Sequence, residues 1–67
     1  MSREAILALL EQHVRLGEHH IARQREIIAD FRMKGLPVEL AETLLGLFEE
    51  MQILHLAHRD RVLNKIP

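Results

Sequence analysis

The stretch Phe31-Arg32-Met33-Lys34-Gly35-Leu36-Pro37-Val38-Glu39 carries the only strong punctuation in the 67-residue chain, and its reading decides the fold. Gly35 suits the left-handed position just past a helix end, and Arg32 and Lys34 sit where cations meet the negative end of the helix dipole. Pro37 suits the first turn of a second helix, where its missing N–H costs nothing, and Glu39 and Glu42 suit the positive end. Outward from this turn run two long stretches rich in Ala, Leu, Glu and Arg. Ser2 is placed to cap the first, although Ala5 stands where a capping box would have Glu or Gln. The sequence therefore predicts an all-α antiparallel two-helix hairpin, with helices over about 3–34 and 37–65, as a single domain over 1–67.

Apolar periodicity predicts how the helices meet. Leu7, Leu10, Val14, Gly17, Ile21, Gln24, Ile28 and Phe31 alternate spacings of three and four, as do Ala41, Leu44, Phe48, Met51, His55, His58 and Val62. Such spacing marks the inward seam of a seven-residue repeat. Folding the chain at Gly35 pairs positions whose numbers add to 72: Phe31 with Ala41, Gly17 with His55, Val14 with His58, Leu10 with Val62. Two of these layers set a large side chain against a small one, which favours close packing.

The flanks of the seam differ. One side gathers Ile6, His13, His20 and Ile27 with Leu40, Leu47 and Leu54, and Leu9 and Leu16 lie beside it. The other gathers Glu11, Glu18, Arg25 and Arg32 with Leu45, Gln52, Arg59 and Ile66. An isolated hairpin would leave the first side wet, and a patch of that extent is expected to exceed the ~300–600 Å² typical of the largest on a soluble monomer. The sequence thus predicts self-association into a homodimeric four-helix bundle whose interface centres on Ile6, His13, His20, Ile27, Leu40, Leu47 and Leu54. A different protein partner on the same face, or a larger assembly through Ile53, Leu56 and Leu63, is the alternative.

Composition excludes several functions. There is no cysteine, so disulfides and thiolate zinc sites are absent. The net charge of −1 provides no basic footprint for nucleic acid, and Phe31 and Phe48 are the only aromatic rings besides the imidazoles. No apolar run approaches the ~18 residues of a membrane span, and no basic-then-apolar leader opens the chain. A cytoplasmic location is the expectation.

Five histidines are the oddity. His19 points outward from the seam. His55 and His58, three apart, share a helical face, and His13 falls near them across the hairpin. A zinc, nickel or iron ion held by His13, His55 and His58, with Glu11 or Glu18, is one reading. Neutral interior histidines bonded to neighbours such as Gln24 or Gln52 are the other, and a histidine-gated response to pH is a third. Ser2 and Thr43, the only hydroxyls, lie away from every histidine, and Glu49-Glu50 diverges around its helix, so no catalytic set emerges and a non-catalytic chain is expected. Arg23, Arg25, Arg32 and Lys34 interleave with Glu26 and Asp30, which predicts ion pairs within the helix, and Arg59 of His58-Arg59-Asp60-Arg61 is expected to face Glu11.

The wording His13-Val14-Arg15-Leu16-Gly17-Glu18-His19-His20-Ile21-Ala22-Arg23-Gln24, followed by His55-Leu56-Ala57-His58-Arg59-Asp60-Arg61, resembles short helical-hairpin proteins of alphaproteobacteria. That resemblance covers nearly the whole chain and implies a bacterial cytoplasmic hairpin, with no activity attached. Taken together, a self-associating, non-catalytic interaction module is expected, with a histidine-based metal-binding bundle or an adaptor for another protein as the rivals.

Overall fold

The structure is a computed structural model and describes residues 2–65. Two helices account for it: α1, Arg3–Met33, and α2, Glu39–Lys65. They form an antiparallel hairpin whose Cα trace is 52 Å long and 15 by 12 Å across. Ile66, expected on the polar edge, lies outside the described residues.

The caps follow from their residues. The Ser2 hydroxyl accepts the Ala5 N–H at 3.1 Å, satisfying one of the orphan donors of the first turn. At the far end Gly35 adopts φ 70°. Its N–H donates to Arg32 O and the Leu36 N–H donates to Phe31 O, the paired bonds of a Schellman ending. The second helix begins two residues later than expected. Its first bond runs from the Glu42 N–H to Val38 O, which leaves Pro37 outside. The chain must cross ~8–10 Å between neighbouring helix axes. Leu36, Pro37 and Val38 span that gap in non-helical conformation, and the residue before a proline avoids the helical region in any case.

The α1 seam is as the sequence reads. Leu10, Val14, Gln24 and Ile28 are buried, and Leu7, Gly17, Ile21 and Phe31 are half-buried. The α2 seam is not. Its inward positions are Ala41, Leu45, Phe48, Gln52, His55, Arg59 and Val62. Leu44 and Met51, expected inside, are 41% and 52% exposed, and His58 is exposed as well. The helix is turned by about one position, and the pairing shifts with it. His13 lies beside His55 rather than Arg59, and Gly17 makes room for Gln52 rather than for His55.

Two amides explain the rotation. Gln24 Nε2 donates to Ala41 O at 2.9 Å, and Gln52 Nε2 donates to Val14 O at 2.9 Å. Each helix thus lends one buried glutamine (6% and 8% exposed) to a backbone carbonyl of the other. A carbonyl has two lone pairs, so it takes this bond in addition to its helical one. Gln52 reaches Val14 only because position 17 has no side chain, since a Cβ there would overlap Gln52 Oε1. Arg59 follows the same rotation, burying its stem while its guanidinium lies 3.7 Å from Glu11.

The two helical glycines should respond oppositely to alanine. Nothing lies within 4 Å of a Cβ at Gly46, so Gly46→Ala should gain about 0.5–1 kcal/mol of helix propensity and raise the thermal midpoint. Gly17→Ala gains the same propensity but displaces the Gln52 amide, which costs about 1–3 kcal/mol for a buried group left unpaired. Circular-dichroism melts should show a lowered midpoint for Gly17→Ala, and an equal rise in both variants would contradict the amide lock.

Candidate functional site

The rotation of α2 decides which side chains are left over. With Gln52 and Arg59 turned inward, Leu40, Leu44, Leu47, Met51 and Leu54 turn outward, and all five are exposed. Their spacings of four, three, four and three are those of a second seam, facing away from α1. On α1, Leu9, His13, Leu16 and His20 are exposed, and Ile6 and Ile27 are half-buried. All seven residues expected at an interface are therefore accessible to some degree: Leu40, Leu47, Leu54, His13 and His20 are exposed, and Ile6 and Ile27 are half-buried. Sequence reasoning placed Leu44 and Met51 in the seam and so missed them as members of this face. The signal was present in the spacing of 40, 44, 47, 51 and 54, but it competed with an equally regular inward reading.

Between the two stripes runs a groove. His13, Leu16 and His20 form one wall, Phe48, Met51 and His55 the other, and Gly17 and Gln52 the floor. Toward the chain ends it continues past Leu10, Leu54 and His58. The rings pack across it: His13 meets His55 edge to face with centroids 5.9 Å apart, and His20 lies over Phe48 at 5.4 Å. His19 is exposed, its ring 6.5 Å from that of His20. Two polar atoms beside the groove are buried without a partner, Gln52 Oε1 and His55 Nδ1. No acidic residue lines any part of it.

The opposite edge is polar. Arg32 pairs with Glu42 at 2.6 Å, Arg25 with Glu49 at 3.8 Å and Arg59 with Glu11 at 3.7 Å, all across the hairpin. Arg23 with Glu26 and Lys34 with Asp30 pair within α1, as the interleaved charges predict. Arg59 also contacts Asp60 at 3.2 Å. These bonds lie at the surface and are individually weak. Their work is to keep charge off the groove side.

Of the three histidines considered as metal ligands, His13 and His55 come together and His58 lines the same groove. Among the described residues no three His, Asp or Glu side chains are grouped so that they could hold one ion. A coordinating imidazole ordinarily also bonds a carboxylate or carbonyl through its other nitrogen, and no carboxylate stands in this groove.

No protein-family model, curated protein or solved structure matches the chain. No described helix is long and apolar enough to cross a membrane.

The glutamine floor gives a test of this geometry. Gln52→Leu removes the amide and its unpartnered oxygen together, and should change stability by less than about 1.5 kcal/mol. Gln52→Glu sets a buried carboxylate against the Val14 carbonyl with no donor, and should cost about 3–5 kcal/mol at neutral pH. Denaturant titration of the two variants should therefore separate them clearly. Equal midpoints would mean that position 52 is not buried against α1.

Proposed function

We propose that the chain is a non-catalytic association module that pairs with a second copy of itself through the groove face, giving an antiparallel four-helix bundle. One observation carries this reading: α2 turns polar Gln52 and Arg59 toward α1 and leaves the more apolar stripe of Leu40, Leu44, Leu47, Met51 and Leu54 in water. A hairpin packed for itself alone would do the reverse, since burying a leucine gains about 1.5–3 kcal/mol.

The area supports the same conclusion. The chain exposes 5209 Å², whereas a folded 7.8 kDa monomer exposes about 4,400 Å² on average. The surplus of about 800 Å² belongs to a thin rod of 52 by 15 by 12 Å that has more surface than a rounded chain of its mass and so gains from being covered. Among the described residues its own buried apolar core is only Leu10, Val14, Ile28 and Ala41. So small a core rarely supports a fold without oligomerisation, a metal or disulfides, and the chain has no cysteine. A second copy fits the face because its stripes are matched in kind. Each groove offers apolar ridges with no acid or lysine between them, and two chains of net charge −1 repel one another little. Symmetric pairing of like faces is also the commonest form of small assembly.

Native mass spectrometry of untagged protein, with sedimentation at micromolar concentration, tests the reading. The expected species has twice the 7.8 kDa chain mass. Leu47→Asp should weaken association at least about 100-fold and lower the thermal midpoint, because it buries an unpaired carboxylate. A wild-type chain that stays at 7.8 kDa across this range overturns self-association and points to a different protein on the same face. A Leu47→Asp variant that keeps the dimer mass and its midpoint shows that another face is used.

A further inference from the structure

The groove is lined by the only side-chain type that changes charge between pH 5 and 8. His13, His20 and His55 stand on both of its walls, and His58 extends the line. The surroundings of these rings are one-sided. Across the groove His13 meets His55 and His20 meets Phe48. Along the helices, the positions three and four away from each of the four are Leu, Gly, Met, Gln, Val, His or Arg, and never Asp or Glu. The charged neighbours at that spacing are cations: Arg23 beside His20, Arg59 beside His55, and Arg61 beside His58. Glu11 and Glu18, two residues from His13 and His20, project from roughly the opposite side of the helix, and Glu11 is held there by Arg59. In a chain with ten acidic residues the groove receives none.

A neutral imidazole can be covered by a partner's leucines at small cost. An imidazolium cannot, because burying a charge with no counter-charge is strongly unfavourable. We propose that protonation of the groove histidines switches the association: the second copy is held when the imidazoles are neutral and released when they take up protons on acidification. The proposal rests on the reading that a second copy covers this face. The sign follows from linkage. Covered histidines bind fewer protons than open ones, so the dimer is favoured at the higher pH and loses affinity as protons are taken up on separation. Each proton taken up changes the dissociation constant about tenfold per pH unit, so one proton per copy gives about 100-fold.

The measurement is the dimer dissociation constant by sedimentation equilibrium at pH 7.5 and 5.5, a range in which surface carboxylates remain mostly ionised. At least a tenfold weakening at pH 5.5 is expected for the wild type and for His19→Leu, whose ring lies outside the groove. The triple variant His13→Leu, His20→Leu, His55→Leu should stay dimeric with a nearly flat profile. Should that variant fail to fold, calorimetric dilution of the wild type at pH 6.3, in buffers of different ionisation enthalpy, reads proton uptake directly, and about one or more protons per dimer are expected. A wild-type dimer whose affinity changes less than twofold, or that takes up no protons on separation, overturns the switch and leaves self-association standing. A chain that is monomeric already at pH 7.5 overturns the association itself.

Discussion

Two buried amides hold the hairpin in register. A side-chain amide taken out of water needs a partner, and in a seam between two helices backbone carbonyls, with a second lone pair free, can supply one. Gln24 finds Ala41 O and Gln52 finds Val14 O, one bond in each direction across the seam. Neither bond survives a slip of one turn or a rotation of one position, because each requires a given carbonyl opposite a given side chain. The second also requires Gly17, the one place on α1 where the Gln52 side chain can pass close to the backbone.

The cost of this arrangement is visible on the outside. Turning Gln52 and Arg59 inward forces Leu44 and Met51 outward, where they join Leu40, Leu47 and Leu54 in a continuous stripe. Hydrogen bonds specify position well but contribute only about 0.5–1.5 kcal/mol each to net stability, whereas apolar burial contributes more and specifies less. The hairpin therefore uses its polar residues for register and leaves an apolar stripe exposed on α2. Helical propensity does not close the gap, since isolated helices are marginal in water and depend on packing of an apolar face.

Histidine suits such a face better than leucine or glutamate. Its ring is flat enough to pack on another ring, as His13 does on His55 and His20 on Phe48. The segregation of charge completes the picture, with five cross-helix and intrahelical ion pairs of Arg or Lys on the polar edge and along α1, and no carboxylate in the groove.

The sequence by itself determined the two helices, the turn and the inward line of α1. Gly35, Pro37 and Ser2 act locally, through backbone conformation and orphaned N–H groups, and α1 has only one continuous line of apolar and small residues that can face a partner. It also determined that one flank is apolar and carries histidines while the other carries ion pairs, because charge segregates by helical angle alone. Only the tertiary structure decided the rotation of α2. That helix carries two seams of equal regularity, one through Leu44 and Met51 and one through Leu45, Gln52 and Arg59, and counting apolar residues selects the wrong one. The choice between them lies in long-range facts: a carbonyl at Val14, a missing side chain at Gly17 and a carboxylate at Glu11, each 35 or more residues away along the chain from the group it receives.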